Sequence, residues 1–318
     1  KRVGYDIPIE QWYCTLVKSA YCGLPLGLDQ VSKILDLQDK KLDTGKALIK
    51  YFSCPCKPTK INGMRTRNYP WDAPEKWEMY KTYNKYDVLS EREIYYRLSK
   101  YSIPPFERSL YILDQHINDR GILVDKELAE SAIAVDEQYT QMLMDESKSI
   151  TMLDNPNSVA QLKKWYIANY ADLVDATLSM KDIEYLKTAN GQFYDKANQS
   201  MAADAIKMLL KLDAVQDIPE LRTVLENRQK LGRSSVKKYY TMMNCAMKDG
   251  RVRGTFQFYG ANRTGRWAGR LVQLQNLSKN HVENIDLPRE LIRKRDWDTV
   301  NMIYGDVSDI LSQLVRTT

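Results

Sequence analysis

The clearest chemical signal in the sequence is a concentration of cationic side chains between Asn227 and Asn280. This stretch has twelve lysines and arginines and a single acid, Asp249, whereas the whole chain of 318 residues has a net charge of +6. Amide, hydroxyl and tyrosine side chains stand among the cations, a composition typical of a surface that binds a polyanion. The basic residues are Arg228, Lys230, Arg233, Lys237, Lys238, Lys248, Arg251, Arg253, Arg263, Arg266, Arg270 and Lys279.

Other kinds of chemistry have little support in the sequence. Gly45-Lys46 lacks the preceding glycine of a phosphate-binding loop. The only two histidines, His116 and His281, offer no pair for metal binding or acid–base work. No stretch approaches the roughly 20 apolar residues that cross a bilayer. We therefore expect a cytoplasmic protein without a membrane partner.

The spacing of apolar residues predicts a mainly α chain with some β, an α+β fold. Glycines and prolines separate segments with helical periodicity, and alternation in strand fashion is confined to residues 251–259. One long helix is predicted over residues 218–247, entered at Pro219 and ended by Lys248-Asp249-Gly250. The other predicted helices cover residues 11–20, 28–37, 74–99, 105–121, 126–149, 201–212 and 288–314, with a further one that starts near Ser158.

One segment of the basic stretch resembles a known signature. Residues 259–277 read Tyr-Gly-Ala-Asn-Arg-Thr-Gly-Arg-Trp-Ala-Gly-Arg-Leu-Val-Gln-Leu-Gln-Asn-Leu. They resemble the TGR…LQN signature of family A DNA polymerases, the bacterial polymerase I and phage type. The spacing from Thr264 to Asn276 agrees with that pattern without gaps. The segment departs from the pattern at Trp267 and Gly269, and Val272 and Ser278 stand where prolines are usual.

The resemblance implies a role for the polar side chains of this segment at the minor groove of a primer–template duplex. Every base pair presents hydrogen-bond acceptors in that groove, so a donor placed there tests pair shape without reading sequence. Arg266 is then expected to donate to the primer-terminal pair, and Gln275 and Asn276 to bond base edges or sugars nearby. Arg263 and Thr264 belong to the same DNA-binding segment.

Residues 225–239 are similar to the long thumb helix of the same family. The resemblance implies phosphate contacts, which position a duplex without specifying its sequence. On this basis, alanine at Arg233 and Lys237 is expected to weaken duplex binding evenly across sequences. The predicted contacts are made by Arg228, Arg233, Ser234, Ser235, Lys237 and Lys238.

The sequence Tyr83-Asn84-Lys85-Tyr86-Asp87 fits the motif that closes the 3′–5′ exonuclease site of this family. The resemblance implies that Asp87 is a metal-binding carboxylate and that Tyr83 orients the attacking water. The Asp-x-Glu pair that opens such a site does not precede the motif here, and Cys14 stands where an aspartate is expected. Asp125-x-Glu127 and Asp182-x-Glu184 both come after the motif, in the wrong order. We therefore expect a degenerate or incomplete exonuclease site.

The resemblance divides the chain into three parts. Residues 1–104 correspond to the C-terminal part of an exonuclease-like domain, 105–250 to a helical linker and thumb, and 251–318 to the start of a palm that stops before the catalytic motifs. The implied parent is a DNA-directed DNA polymerase, a nucleotidyltransferase of DNA replication in the cytoplasm of a bacterium or a phage-infected cell. It would extend a primer with deoxynucleoside triphosphates and two Mg²⁺ ions, whereas this part would bind primer–template DNA and catalyse little alone. The alternative is a non-catalytic helical nucleic-acid-binding protein.

Overall fold

A computed structural model describes residues 7–38, 45–189, 193–233, 236–261 and 263–318. Helices hold 62% of the residues and strands 5%, which confirms the prediction of a mainly α chain with some β. The α-helices of the described residues are α1 (Thr15–Tyr21), α2 (Leu28–Ile34), α3 (Gly45–Ser53), α4 (Pro74–Leu98), α5 (Pro105–Arg120), α6 (Lys126–Thr151), α7 (Val159–Asn169), α8 (Ala171–Ala176), α9 (Met180–Thr188), α10 (Ala203–Leu209), α11 (Asp213–Gln216), α12 (Pro219–Leu231), α13 (Lys237–Cys245), α14 (Asp286–Arg293), α15 (Trp297–Tyr304) and α16 (Val307–Leu314). None of them is long and apolar enough to cross a membrane.

Four short strands and four 3₁₀ turns complete the secondary structure of the described residues. The strands form two antiparallel pairs, β1 with β2 and β3 with β4. The strands are β1 (Ile122–Leu123), β2 (Arg251–Val252), β3 (Phe256–Ala261) and β4 (Arg266–Gly269), and the 3₁₀ turns are Ile9–Gln11, Pro70–Asp72, Leu274–Asn276 and Val315–Thr317.

The chain folds into two compact units. Unit 1 comprises Lys1–Gly121 and Arg253–Gln273, and unit 2 comprises Ile122–Val252 and Leu274–Thr318. The division of the chain into exonuclease-like, thumb and palm parts stays a prediction.

The ends of the longest helices follow local rules that the sequence displays. Helices α4 and α5 both begin with proline, whose fixed φ suits the first helical position and whose missing N–H is not needed there. Helix α5 ends at Gly121, which has a φ of 68° that favours glycine. Helix α6 begins after Asp125, whose side chain accepts a hydrogen bond of 3.0 Å from the backbone N–H of Leu128. These helices were predicted within a few residues.

The described residues of unit 1 form small hydrophobic clusters along helices α4 and α5. Val31 and Ile94 join α2 to α4, while Phe52 and Tyr83 join α3 to α4. A third cluster places Phe258 of β3 against Tyr111 of α5. The β3–β4 hairpin is therefore built directly on α5.

Unit 2 is organised around α6, whose 26 residues make it about 39 Å long. The buried amide of Asn227 on α12 donates to Glu146 Oε2 at 2.8 Å and to Ser147 Oγ at 3.2 Å, both on α6. The fully buried Tyr239 of α13 donates its hydroxyl proton to the carbonyl of Leu311 on α16 at 2.6 Å. These bonds satisfy polar groups that would otherwise be costly to bury.

The prediction of one long helix over residues 218–247 is wrong. Two helices occupy this stretch, α12 and α13, and Gly232 and Arg233 lie outside both. A glycine inside a helix lowers the stability of the helix by about 1 kcal/mol relative to alanine. The guanidinium of Arg233 also pairs with two aspartates at the start of α16. Ion pairs between residues so far apart in the chain leave no periodic signal.

Candidate nucleic-acid interface

Arg263 and Thr264 lie in the tight turn that joins β3 to β4, and Arg266 is the first residue of β4, directly after that turn. The backbone N–H groups of Thr264 and Gly265 both donate to the carbonyl of Ala261, at 3.0 and 2.9 Å. Gly265 has a φ of 64°, a conformation that side chains other than glycine rarely adopt. The side chains of Arg263, Thr264 and Arg266 are all exposed. This end of the hairpin therefore presents two guanidinium groups to solvent.

An irregularity in the hairpin separates this turn from the regular part of the ladder. Gln257 pairs with Ala268 and Ala261 pairs with Arg266, so three residues of β3 stand opposite the single residue Trp267. Such a bulge bends the strand and re-aims its side chains. Gly260 lies in the bulge, where a Cβ atom would come within 2.5 Å of the Cβ of Ala268. Only glycine fits at that position without a shift.

Side chains of α5 hold the start of β3 in place. Asn118 accepts from the backbone N–H of Phe256 at 3.0 Å and donates to its carbonyl at 3.1 Å. The same amide group donates to Asp114 Oδ2 at 3.1 Å. Burial raises the pKa of Asp114 to about 6, and hydrogen bonds from Gln115 and Asn118 partly oppose that rise. The start of the hairpin is therefore held to α5 by hydrogen bonds with Asn118, which Asp114 supports.

Tyr259 connects the bulge to α5, a role that its place in the sequence does not reveal. Its φ of 54° is unusual for a residue other than glycine. Its hydroxyl donates to Glu107 Oε2 at 2.6 Å, and burial together with this hydrogen bond raises the pKa of the phenol. An aromatic residue before a glycine in a strand is common, so neither its type nor its position marks a role.

Gln275 and Asn276 occupy the 3₁₀ turn Leu274–Asn276 of unit 2. Both side chains are exposed. Lys238 of α13 donates to the carbonyl of Asn276 at 2.7 Å, and Arg316 donates to the carbonyl of Leu277 at 2.9 Å. Burial lowers the pKa of Lys238. The turn is therefore fixed at its carbonyl groups while its two amide side chains face outward.

Two of the predicted phosphate-binding arginines already have partners within unit 2. The guanidinium of Arg233 lies 2.9 Å from Asp306 and 2.8 Å from Asp309. Arg228 donates to Asn157 Oδ1 at 2.8 Å, and burial lowers its pKa. These contacts give both arginines a structural role that their charge alone does not reveal, and their binding of phosphate stays a prediction.

Of the remaining predicted phosphate-binding residues, the structure describes Lys237. The side chain of Lys237, at the start of α13, is exposed. The predicted residues Ser234 and Ser235 lie outside the described residues.

Replacement of Lys237 by alanine is expected to weaken duplex binding without loss of stability, because an exposed lysine can contact phosphate without serving the fold. The slope of log affinity against log salt should become shallower by about 0.9, the value for one released counterion. Fluorescence anisotropy of a labelled primer–template at several salt concentrations measures this slope.

Lys207→Ala is the matched control, because Lys207 is exposed on α10 of the same unit and outside the basic stretch. It should leave the slope unchanged. Equal slopes for wild type and Lys237→Ala would place the start of α13 away from the duplex. Arg233→Ala is a poorer test, since it also leaves two aspartates without their cation.

Tyr83 and Asp87 lie on α4, one turn apart, as predicted. Tyr83 is only 5% exposed and stacks on Tyr80, with ring centroids 6.3 Å apart. Its ring also fills the space beside Gly45, where a Cβ atom would lie 2.1 Å from Cε2 of Tyr83. Tyr83 is therefore a packing residue between α3 and α4. Among the described residues, no three histidine, cysteine or acidic side chains are grouped so that they could hold a metal ion.

The β3–β4 hairpin of unit 1 exposes cations, and the turn Leu274–Asn276 of unit 2 exposes two amides. Exposed side chains of both kinds suit nucleic-acid binding. Along 307 residues, 96% of its length, the chain is 46% identical to a protein named DNA polymerase from Bacillus phage SP02. That match covers 43% of the phage protein, so the chain spans less than half the length of this relative. No protein-family profile matches the chain.

Proposed function

We propose that this chain is part of a template-directed, family A DNA polymerase and that it binds primer–template DNA. The exposed Arg266 at the start of β4 carries the proposal, because a guanidinium donor on a strand end suits contact with the primer-terminal base pair. The similarity to a phage DNA polymerase over nearly the whole chain supports it. The exposed Gln275 and Asn276 supply the amide donors of the same signature.

The proposed parts of the polymerase are those that the resemblance implies. Residues 1–104 are the end of an exonuclease-like domain, 105–250 the linker and thumb, and 251–318 the beginning of the palm. The parent protein transfers deoxynucleotides from their triphosphates to a primer 3′ end. The two Mg²⁺ ions that this transfer needs do not fit the described residues, which offer no group of metal ligands. We propose that the catalytic motifs of the parent protein hold them.

Two observations test the proposal. The reading frame after Thr318 should encode an aspartate-containing strand followed by a lysine-bearing helix. The protein translated from the whole frame should extend an annealed primer in the order that the template dictates. A stop codon directly after Thr318, with duplex binding but no extension, would favour the non-catalytic nucleic-acid-binding protein instead.

The exonuclease motif is expected to be inactive in this chain. Asp87 has no group of further metal ligands among the described residues, and Tyr83 is packed between two helices. The chain should therefore release no nucleotides from single-stranded DNA with either Mg²⁺ or Mn²⁺, as judged on denaturing gels. Duplex binding by the same preparation is the control for folding. Metal-dependent release that disappears in Asp87→Ala would prove the expectation wrong.

A further inference from the structure

The side chain of Tyr259 lies beneath the turn that directly precedes Arg266. A Cβ atom added to Gly265 would lie 3.1 Å from Cε1 and 3.2 Å from Cδ1 of the Tyr259 ring. The ring is thus in close contact with the backbone of the turn at the residue that precedes Arg266. Gly265 makes this approach possible, since any other residue would push against the ring in addition to being strained at a φ of 64°.

The other end of the Tyr259 side chain is fixed to α5. The phenol oxygen is 2.6 Å from Glu107 Oε2, a short distance typical of a hydroxyl that donates to a charged carboxylate. Glu107 is in the first turn of α5, the helix that also holds Phe256 through Asn118. A continuous series of contacts therefore runs from α5 through Glu107 and Tyr259 to Gly265.

The backbone conformation of Tyr259 sets the direction in which its ring points. In a regular strand the side chains of Phe258 and Tyr259 would point to opposite faces. The left-handed φ of Tyr259, within the bulge opposite Trp267, instead brings its ring to 4.5 Å from the ring of Phe258, centroid to centroid, with the planes tilted by 57°. A left-handed conformation costs a tyrosine free energy, and such strain persists where surrounding contacts impose it.

We propose that Tyr259 is a positioning residue, which holds the hairpin end with Thr264, Gly265 and Arg266 against α5 so that the guanidinium of Arg266 is preorganised for the primer-terminal base pair. This rests on the proposed function for the role of Arg266, whereas the brace itself rests on the contacts of Tyr259 alone. A donor that is held in place loses less conformational freedom on binding, and small misplacement near reacting groups is costly in rate.

The test uses Tyr259→Phe, which keeps the ring and removes only the hydroxyl. Hydrogen exchange of peptides spanning residues 261–266 should become faster, because the bonds to the Ala261 carbonyl open more often. In the full-length polymerase, the rate of nucleotide incorporation should fall about tenfold, the value expected when a hydrogen bond to a charged group is lost. In a protein that already carries Arg266→Ala, Tyr259→Phe should hardly lower the incorporation rate further, because the guanidinium that Tyr259 positions is gone.

Two variants of Glu107 and one control separate positioning from general damage. Glu107→Ala should reproduce both effects of Tyr259→Phe, whereas Glu107→Gln retains an acceptor oxygen and should recover most of the wild-type rate. Tyr240→Phe is the matched control, because Tyr240 donates to Glu137 Oε1 at 2.9 Å in unit 2, a second tyrosine–glutamate pair. It should alter neither the exchange of residues 261–266 nor the incorporation rate.

The outcomes distinguish this inference from the proposed function. Unchanged exchange in Tyr259→Phe, or rate losses that add fully to those of Arg266→Ala, would overturn the positioning role while leaving the polymerase proposal intact. Faster exchange combined with an Arg266→Ala variant of normal rate would overturn the assigned role of Arg266, and the functional role of Tyr259 with it.

Discussion

Arg266→Ala in the full-length polymerase is expected to lower the rate of nucleotide incorporation about a hundredfold, the scale of loss when a reacting group is misplaced. The dissociation constant for primer–template DNA should rise only a few fold, because the affinity is shared by many cations of the stretch between Asn227 and Asn280. Arg266 would then act on the alignment of the primer 3′ end rather than on retention of the duplex. Single-turnover incorporation and equilibrium binding on the same preparation measure the two quantities.

A matched control removes the same charge elsewhere in unit 1. Arg92 is exposed on α4, and Arg92→Ala should change neither the rate nor the affinity. If Arg266→Ala raises the dissociation constant as much as it lowers the rate, Arg266 is an ordinary phosphate contact.

The largest effect on stability is expected at Asp182, which is 1% exposed. Its carboxylate accepts from the backbone N–H groups of Ser179 at 3.0 Å, Asp213 at 2.6 Å and Ala214 at 3.2 Å, and so joins the start of α9 to the start of α11. Asp182→Ala leaves these donors without their acceptor and should lower the free energy of unfolding by about 3 kcal/mol. Urea denaturation of the variant and of wild type gives the difference.

The change at Asp182 has a control on the same helix. Glu184 is exposed on α9. The free energy of unfolding of Glu184→Ala should therefore stay within about 0.5 kcal/mol of the wild-type value. If Asp182→Ala lowered the free energy of unfolding by no more than Glu184→Ala, the junction of α9 and α11 would not depend on the carboxylate.

The stabilisation from Asp182 should also depend on pH in a defined direction. Burial tends to raise its pKa, but the hydrogen bonds from backbone N–H groups outweigh burial and bring the pKa below its ordinary value of about 3.9. The folded state therefore favours the ionised form, and the contribution is complete above the pKa of the unfolded chain. It is lost as the pH falls through the folded pKa. Asp182→Asn cannot ionise, so the difference between its free energy of unfolding and that of wild type should shrink as the pH falls below about 4.

The sequence predicted most of the fold because local rules set the long helices. The prolines at the starts of α4 and α5 and the glycine after α5 mark helix ends within a few residues of their positions. The predicted mainly α class follows from the same periodicity. Where the prediction is wrong, between α12 and α13, the break accompanies ion pairs from Arg233 to Asp306 and Asp309. Contacts between residues more than 70 positions apart have no signature in a single sequence.

The site was predictable in its residue types but not in its framework. A short polar segment of the sequence identifies Arg263, Thr264 and Arg266, and the structure places all three at the same end of the β3–β4 hairpin. The supports of that end were not selected, because the roles of Tyr259 and Glu107 depend on a bulge and a left-handed φ. The structural use of Arg233 was missed because charge alone does not tell a solvated cation from a paired one.

The most direct test of the central claim is a double-mutant cycle between Arg266 and one atom of the DNA. A primer that ends in a purine analogue without the N3 acceptor should slow incorporation by wild type nearly as much as Arg266→Ala slows incorporation on the normal primer. On the analogue primer, Arg266→Ala should add little, because the contact is already absent. Pre-steady-state incorporation with both primers and both proteins completes the cycle. Two losses that simply add would contradict the account, since Arg266 would then make no contact with that atom of the primer-terminal base.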